Sequence, residues 1–109
     1  MAPTRVQRTR DLFTYRCVDA QGAAEARKRL LPAHLAYVEA HFDAYAVAGP
    51  ILDASGVIVG SLFVLDVADQ ATAELIMIGD PYCAGGVYAS MEAAVFRAAA
   101  GRWIGGVIW

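Results

Sequence analysis

The chain has 109 residues, a net charge of -2, 58% apolar residues and a mean hydropathy of +0.42. This length is typical of one domain, and the acidic balance argues against nucleic-acid binding, which normally needs a basic face. The longest apolar stretch, 57–65, is far shorter than the roughly 20 residues of a membrane-spanning helix. The first ten residues lack the apolar segment of a secretory signal. We therefore expect a cytoplasmic protein without a membrane or nucleic-acid partner.

The high apolar fraction predicts a homodimer. Ordinary soluble domains contain about 45–50% apolar residues. A chain this small buries only about two-thirds of the surface that its unfolded form exposes. A second copy is therefore expected to cover part of the apolar surface.

The two cysteines, Cys17 and Cys83, lie far apart in the sequence and have no spacing typical of zinc ligands. They are interpreted as small buried apolar residues rather than as a disulfide or a metal site. Neither Gly49-Pro50 nor Gly85-Gly86 forms a recognised nucleotide-binding loop. The sequence therefore predicts no metal and no cofactor.

The first part of the chain predicts an arm, a strand and a helix. Residues 1–10 carry three arginines and are expected to form a flexible arm, followed by one domain over 11–109. Alternating aromatic, β-branched and polar residues predict a strand over 12–18. Helix formers fill 23–31, and Pro32 either ends that segment or begins the next one. A helix is predicted from about Pro32 to Asp43, with an apolar face formed by Leu31, Leu35, Val38, Phe42 and Tyr45.

The middle of the chain predicts a hairpin followed by a helix. Residues 47–52 and 57–67 are apolar runs joined by the turn cluster 53–56. The second run is apolar nearly throughout, which is typical of a central strand covered on both faces. Asp69 is a candidate helix cap, and Gly79 a candidate helix end.

Residues 87–97 have two incompatible interpretations. Ser90 could cap a helix over 91–100, which the alanines favour. As a strand, the segment would place Met91, Ala93 and Val95 on one face. The apolar tail, 103–109, is expected to pack against its own domain or a partner.

Short motifs in order along the chain resemble the YCII-related family over about 12–97. The motifs are Pro32-Ala33-His34-Leu35-Ala36, Ala48-Gly49-Pro50, Asp80-Pro81-Tyr82 and Ala84-Gly85-Gly86-Val87-Tyr88. The resemblance implies an α+β, ferredoxin-like βαββαβ domain of the dimeric α/β-barrel superfamily. Its four-stranded antiparallel sheet would carry the helices on one face and dimer contacts on the other. The resemblance therefore favours the strand over 87–97.

The same resemblance implies an active site formed by a histidine and an aspartate, which are His34 and Asp80 here. One relative is a dehydrochlorinase of a chlorinated hydroxyquinol. Many members have an arginine three positions before the histidine, and this chain has Leu31 there. An anion contact by that arginine is therefore not carried over, although Arg29 is close in sequence.

A carboxylate that accepts a hydrogen bond from one imidazole nitrogen leaves the other nitrogen free for proton transfer. If Pro32 begins its helix, the helix dipole would also act on His34. We expect a lyase or isomerase that acts on a small hydroxylated or carbonyl compound. The residues expected to bind this small-molecule ligand are Tyr37, Gly49, Pro50, Tyr82 and Tyr88.

The alternative is a noncatalytic ligand-binding or dimerisation module. His34 lies beside the apolar face of its helix, where a backbone carbonyl could satisfy it. Asp80 before Pro81 is a common turn opener whose carboxylate binds local amides. His41 lies two helical turns beyond His34 and is interpreted as part of a solvated flank rather than as a metal ligand.

Overall fold

A computed structural model describes residues 2–109. Its main sheet has four antiparallel strands in the order β2-β3-β1-β4, with the helices on one face. This confirms the predicted α+β, ferredoxin-like fold. The elements are β1 (Leu12–Asp19), α1 (Ala23–Ala40), β2 (Tyr45–Leu52), β3 (Ile58–Leu65), α2 (Gln70–Gly79), α3 (Pro81–Ala84), β4 (Tyr88–Phe96), β5 (Ala100–Gly101) and β6 (Gly106–Val107).

The core lies between the sheet and the helices because side chains alternate along the two central strands. Tyr15 and Cys17 of β1 and Phe63 and Leu65 of β3 are buried and pack with Met77 of α2. Their neighbours along each strand point to the opposite face. The helix-bearing face of the sheet therefore forms the hydrophobic core.

The segment with two interpretations is a strand. Residues 12–19 of β1 pair along their whole length with β4, so β1 has a hydrogen-bonded partner on each side. A helix over 91–100 would have left one edge of β1 unpaired, and that loss outweighs the preference of alanine for helices.

The predicted start of the long helix at Pro32 was wrong, because one helix runs from Ala23 to Ala40 with Pro32 inside it. Proline removes the hydrogen bond that its nitrogen would donate to the carbonyl of Lys28. Both residues lie on the exposed side of α1, where water can hydrate that carbonyl. His34 therefore lies in the second half of α1, away from the positive end of the helix dipole.

The predicted cap of the second helix is correct. The carboxylate of Asp69 accepts hydrogen bonds from the backbone nitrogen of Thr72 at 2.8 Å and from its hydroxyl at 2.7 Å. These bonds satisfy a donor at the start of α2. The helix ends at Gly79, as the sequence indicates, which places Asp80 directly after it.

The two ends of the chain pair with each other outside the main sheet. The nitrogen of Val6 donates to the carbonyl of Val107 at 2.7 Å, and the nitrogen of Val107 donates to the carbonyl of Thr4 at 2.8 Å. Part of the expected arm is thus bound to the apolar tail, which also forms the β5–β6 ladder. Among residues 2–109, no helix combines the length and the apolar character that a membrane crossing requires.

The close approach of β1 and β3 generates a prediction about Gly60. A Cβ atom added at Gly60 would overlap the backbone carbonyl of Cys17, whereas a Cβ added at Gly49 meets no atom within 4 Å. We expect Gly60→Ala to lower the free energy of unfolding by about 1–3 kcal/mol. Gly49→Ala, the control on the neighbouring strand, should change it by less than about 1 kcal/mol. Urea unfolding would measure both, and equal effects would contradict the packing of β1 against β3.

Candidate functional site

A cavity of about 320 Å³ lies between α1, the β2–β3 hairpin and α3. This volume is at the lower end of the range for small-molecule sites. Its lining residues are Arg27, Leu31, His34, Leu35, Val38, Ala48, Gly49, Pro50, Ile58, Ser61, Phe63 and Tyr82.

His34 and Asp80, which are 46 residues apart in the sequence, are in direct contact. Nδ1 of His34 lies 2.8 Å from Oδ1 of Asp80, and both side chains are largely buried. With Asp80 ionised, this hydrogen bond requires that Nδ1 donates, so Nε2 of a neutral imidazole carries the lone pair. Nε2 forms no hydrogen bond within residues 2–109, and His34 lines the cavity. The geometry therefore leaves a proton acceptor available to a bound molecule.

Asp80 also begins the short helix α3. Its Oδ1 accepts a hydrogen bond from the backbone nitrogen of Tyr82 at 2.9 Å, which is the capping geometry expected before Pro81. Oδ2 is buried and has no hydrogen-bond partner among the described residues. A buried carboxylate oxygen without a donor is costly, and a positive charge on the adjacent imidazole would offset part of this cost. Asp80 is thus suited to stabilise a protonated His34.

Tyr82 fixes the plane of the imidazole. The two rings are stacked with their centroids 3.8 Å apart and an interplanar angle of 3°. The phenol hydroxyl of Tyr82 donates to the carbonyl of Arg27 at 3.4 Å. Burial raises the pKa of Tyr82, so it remains a neutral phenol at neutral pH. The stacking and the Asp80 hydrogen bond together hold His34 in one orientation.

Arg27 is the functional candidate that the sequence did not reveal. Its Nε and Nη2 donate to the two carboxylate oxygens of Asp19 at 2.9 and 2.8 Å, and Nη2 also donates to the carbonyl of Gly60 and to Oγ of Ser61. Burial alone would lower the pKa of Arg27, but the hydrogen bond and the charge of Asp19 raise it above its ordinary value. Arg27 lies seven residues before His34, which is two helical turns, and this spacing is the signal that could have identified it.

A glycine lets the two halves of the site approach each other. A Cβ atom at Gly85 would collide with the side chain of Leu30 on α1 and would lie 2.7 Å from the carbonyl of Pro81. A side chain at this position would have to displace the tip of Leu30 and shift the end of α3. Gly85 therefore helps to bring Asp80 within hydrogen-bond distance of His34.

Some of the predicted ligand-binding residues line the cavity and others do not. Gly49, Pro50 and Tyr82 line the cavity. Tyr37 does not line it, and its hydroxyl donates to the carbonyl of Ile76 at 2.8 Å. Tyr88 lies behind the cavity, where its hydroxyl donates to Oγ of Ser61 at 3.0 Å.

The remaining polar candidates lie outside the cavity. Arg29 is on the exposed side of α1, and His41 packs against the ring of Tyr37. Burial raises the pKa of Cys17 to about 12 and also raises that of Cys83, so neither thiol is ionised at neutral pH. Among residues 2–109, no cluster of three His, Cys, Asp or Glu side chains could hold a metal ion.

Comparison with known proteins identifies a family and a structurally similar enzyme. The model of the YCII-related domain matches residues 12–97. A 5-chloro-2-hydroxyhydroquinone dehydrochlorinase from Burkholderia phenoliruptrix AC1100, in complex with 2,5-dihydroxybenzoquinone, is similar in structure, with a TM-score of 0.71 and 25% sequence identity. The similarity covers 84% of this chain and 96% of that chain. No curated protein matches the chain significantly.

The buried ion pair between Arg27 and Asp19 leads to a prediction about stability. Arg27→Met would leave the carboxylate of Asp19 buried without its partner, which costs about 3–5 kcal/mol in comparable sites. Arg97 makes a similar pair with Asp11, but that pair is exposed. Arg97→Met should therefore cost less than about 1 kcal/mol. Urea unfolding of the two variants tests the difference, and equal losses would contradict the burial of the Arg27–Asp19 pair.

Proposed function

We propose that this chain, which belongs to the YCII-related domain family, is a lyase or isomerase in which His34 is the general acid/base and Asp80 orients it. The observation that carries the proposal is the 2.8 Å contact between Nδ1 of His34 and Oδ1 of Asp80 beside a cavity that His34 lines. The structural neighbour, a dehydrochlorinase bound to a dihydroxybenzoquinone, supports the reaction class. The proposed substrate is a small hydroxylated or carbonyl compound.

The proposed first step is a proton transfer to His34. Nε2 takes a proton from a hydroxyl group or from an acidic carbon of the bound compound, and the electron pair of the broken bond forms an enolate or phenolate system. The carboxylate of Asp80 stabilises the imidazolium that results. Return of the proton to another atom of the substrate gives an isomerisation. Departure of a leaving group with its bonding electrons gives an elimination.

The other polar groups of the cavity would position the substrate. Nη1 of Arg27 makes no hydrogen bond within the described residues and is not fully buried. Nη1 can therefore donate to an oxygen of a molecule in the cavity, as can the hydroxyl of Ser61. The guanidinium of Arg27 also lies over the ring of Tyr82, 5.2 Å from the ring centroid.

A noncatalytic ligand-binding module remains the second candidate. The observation that favours it is the hydrogen bond from the nitrogen of Tyr82 to Asp80, because the same carboxylate would be needed to begin α3 in a protein without catalysis. The experiment below separates the two candidates.

We also propose that the chain forms a homodimer through the sheet face opposite the helices. Alternation along the strands places Val18, Val47, Leu62 and Phe96 on that face, and each of these side chains is at least 39% exposed. Arg16 of β1 pairs with Glu92 of β4 between them, so the face also carries complementary charges. A second copy of the chain would cover this apolar surface.

The proposed compartment is the cytoplasm. Both cysteines are free thiols, which is the usual state of cysteines where cellular reductants act. This argument from the cysteines does not depend on the proposed active site.

The catalytic proposal predicts that one substitution abolishes turnover without unfolding the protein. We expect the protein to release chloride from 5-chloro-2-hydroxyhydroquinone or to exchange a carbon-bound proton of a related enolisable ring with solvent deuterium. His34→Gln should lower the rate by a factor of about 10²–10⁴, the usual contribution of a positioned acid/base group. Asp80→Asn should lower it less, because the imidazole remains present but loses its orienting charge.

The control for this prediction is His41→Gln, which replaces the other histidine of the chain outside the cavity. Chloride release and deuterium exchange should be unchanged in this variant. Wild-type protein that binds such rings but shows neither reaction, with binding retained in His34→Gln, would contradict the enzyme and support the module.

The dimer proposal predicts a mass of about twice 11.6 kDa by light scattering at micromolar concentration. Leu62→Glu should give the monomer, because it places a charge in the proposed interface. Leu75→Glu is the matched control, since Leu75 is also exposed but lies on α2. A monomeric wild-type protein, or equal dissociation by both variants, would refute this interface.

A further inference from the structure

The cavity has a polar floor and an apolar rim. At the floor, the side chains of Arg27, His34 and Ser61 are largely buried and carry its hydrogen-bonding groups. At the rim, Leu31, Leu35 and Ile58 are 43%, 49% and 41% exposed. A molecule that enters the cavity therefore meets polar groups with its inner edge and apolar side chains with its outer edge.

No positive charge of the floor is left unpaired. The guanidinium of Arg27 is paired with the carboxylate of Asp19, with 2.8 Å between Nη2 and Oδ1, and His34 faces the carboxylate of Asp80. Arg27 and His34 are the only lining residues that can carry a positive charge. A carboxylate on the ligand would lose part of its hydration without gaining an unpaired cation, which is unfavourable.

The exposed rim supplies the complementary preference. Binding becomes more favourable when an apolar group of the ligand covers Leu and Ile side chains that are otherwise exposed around a cavity. Leu31 lies one helical turn from Arg27 and three residues before His34, so a substituent on the outer edge of a ring held at the floor would contact it.

We propose that the site selects a singly ringed, hydroxylated compound whose outer edge carries an apolar substituent, and that Leu31 determines this selectivity against carboxylated rings. The inference rests on the proposed function, because it assigns the polar edge of the ligand to the floor that contains His34. It names a specificity-determining residue for the same site.

Two probes that differ in one substituent test the selectivity. Methylhydroquinone and 2,5-dihydroxybenzoate carry the same pair of hydroxyl groups, and one has a methyl group where the other has a carboxylate. Isothermal titration without oxygen should show that the wild-type protein binds methylhydroquinone at least tenfold more tightly. Leu31→Arg should remove most of this preference by adding a cation to the rim.

Two further variants make the result specific. Leu31→Gln, which is polar but uncharged, should weaken binding of methylhydroquinone without strengthening binding of the carboxylate. Leu75→Arg adds the same charge to an exposed position on α2 and should leave the tenfold preference unchanged. Thermal unfolding of each variant checks that it is folded.

The outcomes separate this inference from the proposed function. Equal or tighter binding of 2,5-dihydroxybenzoate by the wild-type protein would overturn the selectivity, while His34-dependent turnover would still support the enzyme. An unchanged preference in Leu31→Arg would overturn the role of Leu31. Failure of both probes to bind at millimolar concentration would overturn the assigned ligand class, and the selectivity with it.

Discussion

The arrangement of the site depends on one buried ion pair. Arg27 of α1 binds Asp19 at the end of β1 and also reaches Gly60 and Ser61 on β3, so one side chain attaches the long helix to both central strands. The Nε and Nη2 groups of this largely buried guanidinium need such acceptors, because without them its charge would lack compensation. The position of α1 over the sheet is thereby determined, and the cavity beside α1 follows from it.

In Asp80, a structural role and the proposed chemical role use the same carboxylate. One oxygen accepts from both the nitrogen of Tyr82 and the imidazole of His34, and the other oxygen has no donor among residues 2–109. The capping hydrogen bond holds the carboxylate in place without the help of a ligand. A base oriented in this way needs no rearrangement before proton transfer, which is the advantage that preorganised polar groups give to catalysis.

Much of the fold could be predicted because strand alternation and helix capping depend on residues that are close in the sequence. The hairpin, the cap at Asp69 and the helix end at Gly79 depend on such short-range signals. The start of α1 could not be predicted, because Pro32 is a strong local signal for a helix boundary, whereas Ala23 and Leu30 in the first half of the helix pack with residues far along the chain. Arg27 was missed for the same reason: its acceptors on β3 are 33 and 34 residues away.

The floor and the rim of the cavity differ in how their side chains are held. The floor is held by the hydrogen bonds of Arg27 to Asp19 and Ser61 and of His34 to Asp80. The rim is formed by Leu31 and Leu35 of α1 and by Ile58 of β3, so a change there alters what the cavity contacts without disturbing the floor. With this separation, the proposed chemistry of His34 and Asp80 would stay constant while the rim changes the ligand. Leu31 forms no part of the hydrogen-bonded network and is exposed, so the proposed change of selectivity at this position is expected to leave that network intact.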